Sequence, residues 1–234
     1  MSEFRFKQFA VRQDTTPMKV GTDGVLLGAW VRLTGKERRL LDIGTGTGVI
    51  ALMLAQRTTE AEVTAIDIES VEEARYNFAE SPWADRLTAH QQAVQQFEAE
   101  RFDVIVSNPP YFVDALLSPD AGRTTARHTV SLSFEELCDA VCRLLKTEGR
   151  FAVVLPTQEA ARFESVCRGK LTPVRRTEVR TTPRHAPKRV LMELMHSETV
   201  TAPAVCDELT IGTGQHEEYS PQYRALTHDF YLKF

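Results

Sequence analysis

Cysteine is scarce: Cys138, Cys142, Cys167 and Cys206 are the four thiols in 234 residues. They show no C-x-x-C or Cys/His finger spacing, so neither a disulfide framework nor a structural metal site is expected. They suit a reducing compartment, and Cys138 and Cys142, one helical turn apart, read as two buried thiols. Long apolar runs are missing too, since none reaches the ~20 residues of a membrane span. The opening MSEFRFKQFAVRQD has no apolar h-region, so no secretory signal is expected and a cytoplasmic protein is. Excess positive charge is absent: 28 Lys/Arg against 32 Asp/Glu leave a net charge of −4. That argues against a surface that binds nucleic acid all over. Internal repeats and low-complexity tracts are lacking as well. What remains is an ordinary globular composition, at a length that suits one α/β domain.

The charge is unevenly spread. Residues 58–100 carry ten Asp/Glu and two Lys/Arg, whereas RGKLTPVRRTEVRTTPRHAPKR, residues 168–189, carries eight Lys/Arg and one Glu. A local basic patch steers polyanions even when the whole chain is acidic.

Strand and helix signals alternate along the chain. TDGVLLGAWV (22–31) predicts an apolar helix capped by Thr22 or Asp23. RRLLDIG predicts a short strand and TGVIALMLAQR a helix. EVTAIDI predicts a second strand, followed by a helix in SVEEARYNFAES with Ser70 and Glu73 as a capping box. RLTAHQQAV is a weaker strand, and RFDVIVSN is apolar throughout, as in a buried parallel sheet. SFEELCDAVCRLLKTEG predicts a helix with Ser133 as cap, Glu136 at N3 and a terminal glycine. RFAVVLP is a strand, TQEAARFESVCRG a helix, and KRVLMELMH and FYLKF closing strands. TTPRHAPKR reads as an exposed loop between late strands. The alternation predicts βαβ units and hence a doubly wound, mostly parallel α/β sheet.

LLDIGTGTGV places Asp42, Gly44, Gly46 and Gly48 at the carboxyl end of the first sheet strand, where ligands of open α/β sheets sit. The spacing is G-x-G-x-G. It matches neither the G-x-G-x-x-G of dinucleotide binding nor a P-loop, and no lysine follows to meet a phosphate. Asp67 ends the second strand, placed to accept hydrogen bonds from both hydroxyls of a ribose. Together these suit an adenosine ligand without pyrophosphate. S-adenosylmethionine has that form, and its cationic groups tolerate a nearby Asp42 or Asp23.

VSNPPYF (106–112) then supplies a site for the methyl group. An exocyclic adenine amine is a poor nucleophile, because its lone pair is delocalised into the ring. Two acceptors aimed at its N–H protons favour a pyramidal nitrogen and stabilise the charge that develops on attack. The Asn108 side-chain oxygen and the Pro109 carbonyl supply them. Pro109 and Pro110 stiffen the backbone there. A neutral Asn costs less to bury than a carboxylate. Tyr111 and Phe112 offer faces on which a flipped base stacks.

DIGTGTG, Asp67 and NPPY together resemble class I S-adenosylmethionine-dependent methyltransferases acting on planar amides or amines. The flanks FKQFAVRQD, MKVGTDGVLLGAW, IALMLAQRT, SPWADR, VSNPPYF, VVLP, RVLMEL and YSPQYRALTHDFYL narrow the likeness. From Phe6 onward the chain resembles the bacterial tRNA (adenine-N6) methyltransferases that modify the position-37 adenine of a valine tRNA. The resemblance implies a single Rossmann-like domain over residues 1–234 with a seven-stranded sheet. Residues 1–38 would be a short extension packing on the cofactor site. It implies a monomer without metal. Asp23 and Gly24 would lie near the methionine end of the cofactor. Asp42, Gly44, Gly46 and Gly48 would form the turn, Asp67 would hold the ribose, Ile68 and Asn108 would also contact the cofactor, and Asn108 to Tyr111 would receive adenine. Ala93 stands where the family often has an acidic residue contacting the cofactor's adenine, which leaves the Val94 backbone or Gln92 for that contact. RNA contacts are expected from Tyr111 and Phe112, from Arg123, Arg127 and His128, and from Arg184, His185, Lys188 and Arg189.

Rival readings are glutamine N5 methylation of a release factor and guanine N2 methylation of ribosomal RNA. The first uses the same NPPY geometry, but such enzymes usually carry an extra amino-terminal helical domain, and about 40 residues precede the first sheet strand here. A non-catalytic RNA-binding module of this fold and a nicotinamide oxidoreductase are further alternatives, disfavoured by the intact NPPY and by the glycine spacing.

Overall fold

The computed structural model describes residues 2–109 and 132–234. An antiparallel hairpin comes first, β1 (Glu3–Arg5) with β2 (Ala10–Arg12). Helix α1 (Thr22–Trp30) leads into β3 (Arg39–Ile43), α2 (Val49–Gln56), β4 (Glu62–Asp67), α3 (Glu72–Ala79) and β5 (Leu87–Gln91). The second half holds β6 (Phe102–Ser107), α4 (Phe134–Leu144), β7 (Leu145–Pro156), α5 (Thr157–Cys167), β8 (Leu171–Arg180), β9 (Arg189–His196), β10 (Val205–Thr210) and α6 (Pro221–Thr227).

The main sheet has eight strands in the order β10-β8-β9-β7-β6-β3-β4-β5. All neighbours run parallel except β9, which is antiparallel to both β7 and β8. The apolar strands are buried on both faces, as the near-continuous run in β6 requires. Leu40, Val104 and Val106 face one core, with α1, α2 and the hairpin; Leu41 and Ile105 face the other, with α4 and α5. From β3 the chain steps outward through β4 and β5, then returns to β3's other side with β6. The order reverses there, so the crevice between the ends of β3 and β6 is the expected ligand site.

The doubly wound α/β expectation holds, with eight strands in place of seven. The additional strands lie in polar sequence. β8 reads LTPVRRTEVR, yet Arg175 lays its guanidinium 4.1 Å from the Trp30 ring centroid and Arg176 pairs with Glu164. Long arginine stems cover apolar surface while their heads stay paired, which hides a strand from a hydrophobicity pattern. β10 is a mostly exposed edge whose Glu208 pairs with Arg180 at 3.1 Å. Charge on an edge strand discourages unwanted pairing. FYLKF is not a strand: Phe230 is buried, and Tyr231 stacks 5.9 Å from Phe6 against the amino-terminal hairpin.

The caps divide. Ser133 and Glu136 form the expected capping box on α4, but that helix ends at Leu144, and Gly149 lies within β7. Neither Thr22 nor Asp23 caps α1, because Gly21 stands at that position. Ser70 does not cap α3 either; Val71 stands there, and the Glu73 carboxylate is used elsewhere. Cys138 and Cys167 are buried and Cys142 is half-buried. Among the described residues no helix is long and apolar enough to cross a membrane.

Candidate functional site

Strand registers bring the predicted residues together. Ile43 pairs with Ile66 on one side and with Ser107 on the other. The next residues, Gly44, Asp67 and Asn108, therefore stand at one level at the carboxyl end of the sheet. With ~4.8 Å between neighbouring strands, Asp67 and Asn108 stand roughly 10 Å apart across the glycine turn.

That turn needs glycine. Gly44, Gly46 and Gly48 have φ values of 74°, 53° and 84°, a region that side chains disfavour. At Gly48 a Cβ would also lie 2.5 Å from the Phe78 ring. At Gly44 it would meet nothing within 4 Å, so this backbone faces open space. The N–H groups of Gly44 and Thr45 donate to the Ile66 carbonyl at 2.9 and 3.1 Å, which ties the turn to β4.

Two carboxylates flank it. Asp67 accepts from the Gly46 N–H at 2.9 Å with Oδ2 and from the Glu69 N–H at 3.0 Å with Oδ1. A carboxylate has about four lone-pair sites, so this orients Asp67 and leaves capacity for a diol. Asp42 is fully buried; its Oδ2 accepts the Thr45 hydroxyl at 2.7 Å, and Oδ1 has no hydrogen-bond partner. Burial pushes its carboxyl up to about 7, against the Thr45 hydroxyl, which favours the charged form. An open backbone cradle beside an orphaned buried carboxylate oxygen fits a ligand that carries a nucleoside and a cation.

Gly24 packs against α2, since a Cβ there would lie 3.5 Å from Val49 Cγ1. Asp23, one residue earlier, is half-buried and pairs with Arg189 at 2.5 Å. Burial raises the Asp23 carboxyl in spite of that guanidinium. Arg189, grouped from sequence with the RNA-facing cations, is thus turned inward to α1. Ile68, after Asp67, is 43% exposed. On the β5 side, the Gln92 N–H donates to the Asp67 carbonyl at 2.8 Å, which draws Ala93 alongside. The Gln92 side-chain amide turns back to the Gln96 carbonyl at 3.0 Å. Val94 is buried, with its carbonyl accepting from Arg143 at 2.8 Å.

Asn108 is half-buried and Pro109 buried at the end of β6, where Ser107 fixes the strand by donating to the Ile43 carbonyl at 2.9 Å. Pro110, Tyr111, Phe112, Arg123, Arg127 and His128 lie outside the described residues. Arg184, His185 and Lys188 are exposed on the β8–β9 loop. Because β8 runs in the direction of β7, this loop sits on the same edge of the sheet as the glycine turn. The sequence offers Glu73 only as a helix cap and does not single out Asn77, yet both hold the segment beside Gly46. An Asn inside a helix, where it is a poor former, was the available signal.

Residues 24–165 match the methyltransferase small domain family. A tRNA1(Val) (adenine(37)-N6)-methyltransferase of Phocaeicola vulgatus is 47% identical, with 98% of this chain and 97% of that protein covered. The enzyme of that name from Bacteroides thetaiotaomicron is 44% identical over 98% and 97%, and that from Trichodesmium erythraeum 43% over 100% and 99%. In fold, the chain resembles a predicted O-methyltransferase of Agrobacterium tumefaciens, with a TM-score of 0.70 at 19% identity over 89% of this chain and 96% of that one. It also resembles a glycopeptide N-methyltransferase solved with S-adenosylmethionine, with a TM-score of 0.52 at 15% identity over 79% and 100%. The chain belongs to the methyltransferase small domain family and, within it, to the tRNA1(Val) (adenine(37)-N6)-methyltransferases.

Proposed function

We propose that the chain transfers a methyl group from S-adenosylmethionine to N6 of adenine 37 in a valine tRNA. The observation that carries this reading is the shared level of Gly44, Asp67 and Asn108 at the reversal of strand order. When bound, S-adenosylmethionine would supply an electrophilic methyl group on a sulfonium, whose sulfur keeps the C–S bonding pair and leaves as the neutral thioether S-adenosylhomocysteine. Asp67 holds the ribose hydroxyls, and the open backbone at Gly44 admits the nucleoside. Asp42 and Asp23 place negative charge near the cationic end. Asn108 Oδ1 and the Pro109 carbonyl would accept hydrogen bonds from the two N–H groups of the adenine amine and leave its lone pair free to attack. The methylated amine is acidic and loses its extra proton to solvent. Residues 1–38 pack on the cofactor site, and the enzyme acts as a cytoplasmic monomer without metal. Glutamine methylation of a release factor has less support, since the near-full-length relatives carry tRNA methyltransferase names.

The reading is tested by labelled methyl transfer to valine tRNA transcripts with adenine or guanine at position 37. Label on the adenine form alone is expected, and equal labelling of both would reject the assigned position. The exposed Arg184 and Lys188 motivate a second test. Affinity for tRNA should fall with added salt, and Arg184→Glu should weaken binding about tenfold and flatten the salt slope. A salt-independent affinity would move the RNA surface elsewhere.

Asp42 gives a pH prediction. Its folded pKa, about 7, lies above that of a free carboxyl. Between those values the folded apo chain holds a proton that the unfolded chain has released, so the contribution to stability falls as pH rises through that window. A cationic ligand beside Asp42 favours the ionised form. Cofactor affinity should therefore rise up to about tenfold per pH unit below pH 7 and level off above it. Calorimetry from pH 5.5 to 8 measures this. Asp42→Asn should abolish the rise; a pH-independent wild type would remove the cation from Asp42's neighbourhood.

A further inference from the structure

One face of α3 is spent on the segment that follows β2. Glu73 is 6% exposed, and its carboxylate accepts the backbone N–H groups of Asp14 at 2.5 Å, Thr15 at 2.7 Å and Thr16 at 2.8 Å. Asn77, one turn on, accepts the Arg12 N–H at 2.8 Å and donates to the Arg12 carbonyl at 3.0 Å. Its amide also donates to the Thr47 carbonyl at 2.8 Å, inside the glycine turn. Tyr76 lies under the Arg12 guanidinium, 5.0 Å from the ring centroid. Positions 73, 76 and 77 are neighbours on a helix surface, so the three side chains act on one stretch of backbone.

That stretch passes over the site. A Cβ on Gly46 would lie 3.5 Å from Thr16 Cγ2. Farther on, Gln13 Oε1 accepts the Val20 N–H at 2.8 Å, closing the loop just before Asp23. A buried carboxylate is tolerated only when hydrogen-bonded, and here backbone donors satisfy it. Burial pushes the Glu73 carboxyl up, but the Thr16 hydroxyl and the three amides outweigh it and hold it below the ordinary range.

We infer that Glu73, assisted by Asn77, is a positioning residue that latches residues 12–16 as a roof over the glycine turn and thereby sets cofactor affinity. Neither side chain takes part in the transfer. The latch rests on the reading of this crevice as the S-adenosylmethionine site. Without it the roof-on conformation is only part of the population, and apparent affinity drops by that fraction.

Calorimetry with S-adenosylhomocysteine, together with amide hydrogen exchange, tests the latch on the full chain. Glu73→Ala should weaken binding about tenfold or more, with KM for the methyl donor rising far more than kcat falls. Glu73→Gln should recover part of the affinity, since its one carbonyl oxygen accepts some but not all of the three N–H groups. In wild type, S-adenosylhomocysteine should slow exchange at residues 14–16 at least about fivefold, and in Glu73→Ala those amides should lose protection while those of β4 keep it. Glu73→Ala binding within twofold of wild type would overturn the latch alone, as would wild-type amides at 14–16 that ignore the ligand. Should Glu73→Ala not fold, Glu73→Gln and the wild-type exchange decide the question. A wild type that binds no S-adenosylhomocysteine would overturn the cofactor reading and the latch with it.

Discussion

Replacing Asn108 with Ala is expected to lower kcat by about 10³-fold, the upper range for loss of one preorganised polar group at a reacting centre. Cofactor affinity should stay within about threefold, because the side chain acts on the acceptor amine and not on the ribose. The asymmetry follows from the fold. Asn108 leaves β6 on the far side of the glycine turn from Asp67, so the two residues address different parts of the assembled reactants. Steady-state methylation of a valine tRNA transcript, paired with calorimetry of the donor, measures both quantities. Unchanged turnover would remove Asn108 from the chemistry, and a loss confined to cofactor binding would reassign it to the donor.

The second large effect is expected at Asp67. Charge-assisted hydrogen bonds are worth about 1.5–3 kcal/mol each, so losing two at the ribose hydroxyls in Asp67→Ala should weaken donor binding by at least about 100-fold. Part of that loss is indirect. Asp67 also accepts the Gly46 N–H at 2.9 Å, so its removal loosens the turn it faces. Asp67→Asn separates the two contributions, because the amide keeps one acceptor and the shape of the side chain. An intermediate affinity is expected. Donor affinity equal to wild type in Asp67→Ala would contradict the ribose placement.

Where the physical signal is local, the fold was legible before the structure. LLDIGTGTGV, EVTAIDI and RFDVIVSN read as short strands, RFDVIVSN apolar throughout, and they form the central parallel strands that frame the crevice. Ser133 and Glu136 form their capping box as the spacing predicts. Ser70 and Glu73 have the same spacing, yet tertiary structure overrides the local cap. Three backbone amides from the β2–α1 segment reach the Glu73 carboxylate, and no rule of short-range spacing anticipates partners nearly sixty residues away. β8 escaped notice because its arginines find their partners on other elements. Arg189 looked like a surface cation for the same reason, since its partner Asp23 lies on the first helix.

The central claim is that an amide oxygen and a backbone carbonyl hold one adenine amine beside the donor. A crystal structure of the chain with S-adenosylhomocysteine and a valine tRNA anticodon stem-loop tests it most directly. Adenine 37 should be flipped out, with its N6 about 3 Å from both Asn108 Oδ1 and the Pro109 carbonyl, and facing the thioether sulfur. An adenine that remains stacked in the loop, or an N6 bound away from Asn108, would contradict the account.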